Sequence, residues 1–196
     1  MILPIVAYGD PVLRKKCEEI DADYPGLESL IPDMWETMYQ ASGVGLAAPQ
    51  IGKAIRLFLV DTSPFAEDDE LEEAERGQLK DFKKVFINAR MESETGSKWP
   101  FNEGCLSIPD IREDVNRMDT ITLTYMDEAF ETHTETFSGL LARVIQHEYD
   151  HIEGVLFTDH LSSLKKRLLK GRLSNISKGK VQVDYRMRFP DMKRKR

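Results

Sequence analysis

Cysteine is scarce in this chain: 196 residues hold two, Cys17 and Cys105, far apart. Two such residues do not make a disulfide framework, and a reducing compartment is the natural setting. No apolar run approaches about 18 residues, so no membrane-spanning helix is expected. The opening M-I-L-P-I-V-A-Y-G-D has neither a basic leader nor a long apolar core and does not read as a signal peptide. The expectation is a cytoplasmic protein without membrane contact. There is no internal repeat, no G-K-S/T to close a phosphate loop, and no glutamate anywhere after Glu153.

What is present is charge, unevenly spread. The formal net charge is −7, yet residues 159–196 hold 13 Lys and Arg against three Asp, which leaves −17 on the rest. A basic tail on an acidic body can mark a nucleic-acid contact, although a charge run alone is more often a solvated surface. Residues 66–81 are strongly acidic and read as a surface insertion, partly helical or disordered.

Chemistry concentrates in Q-H-E-Y-D-H at 146–151. Four helical steps of about 100° exceed one turn by only about 40°, so His147 and His151 can aim two imidazoles at one point. They continue an apolar stripe through Leu140 and Val144, the face a helix normally buries. Buried imidazoles need partners, and one shared metal serves both. Glu148 lies about 100° around from His147, free to hydrogen-bond a water beside the metal, as in other H-E-x-x-H helices. Asp150 faces away and is free to orient another group. A lone histidine is more often a core or surface residue, and His133 and His160 are read that way.

A catalytic zinc-like site keeps three protein ligands and one open position. The extended pattern H-E-x-x-H-x-x-G-x-x-H fails, because Phe157 stands at its last histidine. A downstream glutamate is impossible, and Asp159 and His160 are weak candidates. Upstream, E-G-C-L-S-I-P at 103–109 offers Cys105, where Gly104 lets the chain approach a metal closely and the thiolate is a strong, soft ligand. Cys17 reads instead as a small buried apolar residue.

The third notable segment is G-V-G-L-A-A-P-Q at 43–50. It fits a dinucleotide fingerprint by letter, but a helical segment precedes it and Pro49 would interrupt the helix that must follow. A better use is backbone approach to a substrate at Gly43 and Gly45, with Gln50 as an amide donor toward a developing oxyanion.

Around these motifs the pattern predicts a helix over 27–41 with its start near Pro32 and Asp33, strands at 55–60, 84–88, 120–126 and more weakly 131–137, and a helix over 139–153 stopped by Gly154. The Gly/Pro-rich stretch from Ser42 reads as irregular, and a last strand is expected at 180–189. The fold class is α+β, with mostly antiparallel strands around a central metal-binding helix. Residues 1–160 read as a catalytic domain with an acidic insertion at about 63–81. Residues 161–196 read as a basic extension of the same domain, ending in a strand rather than a long helix.

Together, G-V-G-L-A-A-P-Q, E-G-C-L-S and Q-H-E-Y-D-H resemble the three signatures of the peptide deformylase family, and I-V-A-Y-G-D-P-V-L-R is similar to family N-termini. The resemblance implies Cys105, His147 and His151 as metal ligands and Glu148 as the catalytic acid/base. It implies oxyanion stabilisation by Gln50 and the Leu106 N–H, with Gly45 against the substrate backbone. The implied metal is Fe²⁺, with Zn²⁺ or Ni²⁺ as substitutes. The implied reaction removes the formyl group from the N-terminal formyl-methionine of newly made polypeptides, releasing formate. By position, Val44, Leu106 and Val144 are candidates for an apolar methionine pocket, with Arg112 near its mouth. The basic C-terminal region raises a ribosome contact; no DNA partner is expected. A general protease and an inert metal-binding module, its fourth position filled by His160, are the rival classes.

Overall fold

In this computed structural model, which describes residues 1–69 and 71–192, a five-stranded antiparallel sheet carries the core. Its order is β2 (Gly45–Ala47), β3 (Leu57–Asp61), β4 (Lys83–Cys105), β5 (Ile108–Met126) and β6 (Thr132–Ser138). All five residues of β3, L-F-L-V-D, are buried, because helices and loops cover both faces of this strand. Phe58 stacks on Phe86 of β4, and Tyr125 of β5 lies against Phe86, so the strands are joined by aromatic cross-strand pairs.

β4 and β5 form a hairpin far longer than the predicted strands at 84–88 and 120–126. The ladder shifts between Ile87 and Arg90, Met91 and Ser93, and Thr95 and Lys98, and such bulges bend and twist a strand pair. Polar residues on the outer reach of the arm, T-G-S-K in β4 among them, hid it from an apolar-alternation reading. The arm turns at Leu106–Ser107, with Cys105 paired to Ile108.

β6 passes into α3 (Gly139–Ile152) without an intervening loop, Gly139 making the change of direction at φ +59°. Leu140, Val144, Ile145, Ile152 and His151 are buried along α3. The helix stops at Gly154, at φ +75°, where a Cβ would stand 2.7 Å from the Arg14 carbonyl oxygen.

Several expectations are corrected. α1 (Leu27–Gln40) begins five residues before Pro32, which sits inside it; burial of Leu27, Leu30, Ile31, Met34 and Met38 outweighs the hydrogen bond that proline forgoes. The stretch after Ser42 is not irregular throughout, since it contains β2 and a 3-10 turn at Ala48–Ile51. The acidic segment is partly helical as expected, with a 3-10 turn at Ser63–Glu67 and α2 (Glu73–Lys80), Glu70 lying outside the described residues. The C-terminal region differs most. α4 (Ser163–Ser177) was hidden by its cations, although Leu169, Leu173 and Ile176 fall at helical spacing and are buried. Residues 181–189 do alternate between half-buried and exposed, yet only β7 (Met187–Arg188) makes a ladder, parallel to β1 (Ile5–Val6). Residues 193–196 of the basic tail lie outside the described residues. α4 shares an apolar cluster with Val6, Leu13 and the hairpin residues Ile108, Ile111 and Val115.

Candidate metal centre and substrate cleft

Three segments distant in sequence converge on α3. The hairpin tip brings Cys105 to the helix face that carries His147 and His151, and the ligand atoms of all three lie within 4.8 Å of one another. Cys105 Sγ is 3.4 Å from His151 Nε2. A tetrahedral ion at ordinary zinc bond lengths would separate such a sulfur and nitrogen by roughly 3.6 Å. The rings of His147 and His151 stand nearly perpendicular, 5.2 Å apart. His151 Nδ1 and Glu148 Oε2 are buried without a hydrogen-bond partner. The residues therefore fit a metal ion in donor type, spacing and desolvation.

Burial would raise the Cys105 thiol, but the His151 and His147 imidazoles beside it draw it down to about 5, so the thiolate is the favoured form. Burial alone would lower His147, yet the Cys105 sulfur and the Glu103 carboxylate hold it well above its ordinary value. Burial pushes Glu148 up to about 7 against the opposing influence of His147 and His151, which poises it for proton transfer near neutrality.

Behind the ligands lies a buried ionic network that sequence reading missed. Glu103, 4% exposed, accepts from Arg117 Nε at 2.7 Å, from Arg143 Nη1 at 3.0 Å, and lies 3.0 Å from His147 Nδ1. Glu103 thus fixes the His147 ring and leaves its other nitrogen facing the Cys105 and His151 side. Burial would raise this carboxyl, but His147 and Arg117 hold it below the usual carboxylate range. Arg117 also reaches Asp150 at 2.7 Å, which in turn holds His160 at 2.7 Å. Asp150 thus orients another group, as its position suggested, and His160 is occupied away from the three candidate ligands. Asp159 pairs with Arg14. Glu103 lies inside E-G-C-L-S, so a signal existed for it; Arg117 and Arg143 had none, since isolated arginines read as surface.

The cleft in front, about 750 Å³, is lined by His147, Glu148, Gln50, Gly45, Leu106 and the four positional candidates Val44, Val144, Arg112 and Leu106 itself. Gln50 is buried. Its Oε1 accepts from the Ala47 N–H at 2.9 Å, which turns its Nε2 toward Cys105 Sγ and Ser107 Oγ, each at 3.5 Å. Gly45 is placed against the side chain of Glu148: a Cβ there would lie 2.4 Å from Glu148 Oε1 and 2.7 Å from its Cγ. Arg112 donates to Asn102 through Nε at 2.9 Å and Nη2 at 2.6 Å, at the cleft edge. The C-terminal residues Gln182–Tyr185 complete one wall, a role the sequence did not reveal. Cys17 is buried, and burial pushes its thiol up to about 11.

An α+β chain that brings a sulfur and two imidazoles together beside a buried carboxylate, open to a cleft, falls in the class of metal-dependent hydrolases. Comparison narrows the class. Residues 2–167 match the family model for polypeptide deformylase. The chain is 65% identical to the peptide deformylase of Christiangramia forsetii over 196 residues, the whole of both chains, and 60% identical to that of Flavobacterium johnsoniae over the same span. Among solved structures, the peptide deformylase of Thermus thermophilus superposes with a TM-score of 0.76 at 36% identity, covering 90% of this chain and 98% of that one. That of Legionella pneumophila gives 0.75 at 34% identity, covering 92% and 98%. The chain belongs to the peptide deformylase family, metal-dependent enzymes that hydrolyse the N-terminal formyl group of formyl-methionyl polypeptides and release formate. Among the described residues no helix is long and apolar enough to cross a membrane.

Proposed function

We propose that Cys105, His147 and His151 hold the metal and that Glu148 moves the proton during deformylation. The observation that supports this reading best is the 3.4 Å approach of Cys105 Sγ to His151 Nε2 beside an unpartnered, buried Glu148 oxygen. A divalent ion bound there supplies Lewis acidity toward water and carbonyl oxygen. Glu148 takes a proton from the water that attacks the formyl carbon. Gln50 Nε2 and the Leu106 N–H hold the resulting oxyanion. Glu148 then gives the proton to the departing amine nitrogen as the C–N bond breaks, so water and formamide leave as formate and free amine. Gly45 lies along the substrate backbone, Val44, Leu106 and Val144 enclose the methionine side chain, and Arg112 guards the mouth.

Glu148→Ala tests the scheme. It should keep one metal per chain and lose about 10²–10⁴-fold in turnover of a formyl-Met peptide; normal turnover would remove Glu148 from the role.

We assign Fe²⁺ as the native metal, with Zn²⁺ and Ni²⁺ as substitutes; one soft thiolate with two imidazoles suits all three. The iron form should lose activity in air while the zinc form does not, and equal stability would refute the assignment. The basic C-terminal region, where Leu164 and Leu168 are exposed among lysines and arginines, is assigned a ribosome contact in the cytoplasm. Salt-sensitive co-sedimentation with ribosomes, with and without residues 161–196, tests it. Residues 1–160 and 161–196 form one domain, the acidic segment near 63–81 being an insertion. The apolar cluster joining α4 to Val6 and Leu13 favours this, and a single cooperative unfolding transition is expected.

A further inference from the structure

The turn that follows Cys105 is only two residues long, and both of its carbonyl groups are held from outside the hairpin. The Ser107 carbonyl accepts from the Tyr8 N–H at 2.8 Å. The Leu106 carbonyl accepts from the hydroxyl of Tyr185 at 2.7 Å. Tyr185 belongs to the C-terminal stretch, which is itself anchored at two points. Gln40 Nε2 donates to the Asp184 carbonyl at 3.3 Å, and β7 pairs with β1 two residues further on. The Tyr185 ring is half-buried and packs against the core cluster that contains Leu30, Met34 and Met38, while its edge lines the cleft. Burial raises its phenol above the ordinary range, so the group remains an O–H donor at any working pH.

We propose that Tyr185 is a positioning residue for deformylation: its hydroxyl fixes the Leu106–Ser107 turn so that the Leu106 N–H stays aimed at the oxyanion, and its ring forms the adjoining wall. The inference rests on the reading of Leu106 as an oxyanion donor. A two-residue turn is defined by a handful of dihedral angles, so freeing one carbonyl lets the neighbouring peptide planes tilt. The tilt costs most where donor geometry must match a charge that develops only in the transition state. The hydroxyl and the ring should therefore separate kinetically, one in kcat and the other in KM.

The test compares metal-loaded wild type, Tyr185→Phe, Tyr185→Ala and Gln50→Ala on a formyl-Met-Ala peptide, with metal content and Tm measured on each sample. Tyr185→Phe keeps the ring, and kcat should fall about three- to tenfold, the weight of one hydrogen bond, with KM within twofold and metal content unchanged. Tyr185→Ala should also raise KM. Gln50→Ala should lower kcat by about 10²–10³-fold. Wild-type kcat in Tyr185→Phe beside a crippled Gln50→Ala overturns the role of Tyr185 and leaves the oxyanion scheme standing. Wild-type kcat in both removes the scheme and the inference with it. A kcat loss in Tyr185→Phe that follows metal loss or a lowered Tm also overturns the proposal.

Discussion

Alanine at position 45 should disable the enzyme without emptying its metal site. The added Cβ would stand 2.4 Å from Glu148 Oε1 and 2.7 Å from its Cγ, where ordinary van der Waals contact begins near 3.4 Å. The carboxylate must therefore retreat by about 1 Å, and because the overlap includes Cγ, rotation of the carboxyl group alone does not relieve it. A displacement of that size at a reacting group costs about 10²-fold, or about 2.7 kcal/mol in the barrier. The three heavy atoms nearest the new methyl all belong to Glu148, so the strain falls first on that side chain and metal content should hold. Formate release from a formyl-Met peptide, normalised to metal measured on the same sample, reads the effect. Turnover within twofold of wild type at full metal content would refute the argument that Gly45 exists to seat Glu148.

Other consequences are equally open to measurement. Glu103→Gln leaves buried Arg143 without a carboxylate and Arg117 with Asp150 alone, and should cost about 3–5 kcal/mol in urea unfolding; a loss under 1 kcal/mol would contradict the network. Asp61 is held below its ordinary value of 3.8: burial acts to raise it, but hydrogen bonds from Ser63 and Tyr39 and the charge of Lys83 prevail. A depressed folded pKa stabilises above the unfolded value and is lost as pH falls through the folded one. Asp61→Asn should therefore flatten the acid limb of the stability curve below about pH 4, and an unchanged limb would exclude Asp61 as its source. Cys17, its thiol raised by burial to about 11, should resist alkylation at pH 8 in the native protein and react once the chain is unfolded in urea. Rapid native labelling, mapped to Cys17 by mass spectrometry, would be the contrary result.

The metal helix was legible because its signal is local. Leu140, Val144, His147 and His151 repeat at helical steps, and Gly154 stops the helix through a conformation few other residues adopt. Cys105 was legible through motif and chemistry rather than through geometry, since a hairpin arm with polar residues along it gives no period to read. The Glu103, Arg117 and Arg143 cluster was not legible for a related reason. Composition places charged residues outside, and only the pairing of β4, β5 and α3 reveals that these three pair in the interior, with Asp150 as the second carboxylate. α4 carries a weaker signal, because its many cations mask the apolar stripe that Leu169, Leu173 and Ile176 form at helical spacing. The role of Tyr185 depends on contact across 79 positions with Leu106, which no local pattern encodes.

The direct passage from β6 into α3 sets where this chain tolerates a change of length. One residue inserted between Ser138 and Gly139 would turn the helix by about 100° relative to the sheet, swinging both imidazoles away from the hairpin tip. The interval from Thr62 to Phe82 joins neighbouring strands instead, and extra residues there leave α3 and its phase untouched. Growth and shrinkage in this architecture should therefore collect between β3 and β4, while the junction at 138–139 stays the same length.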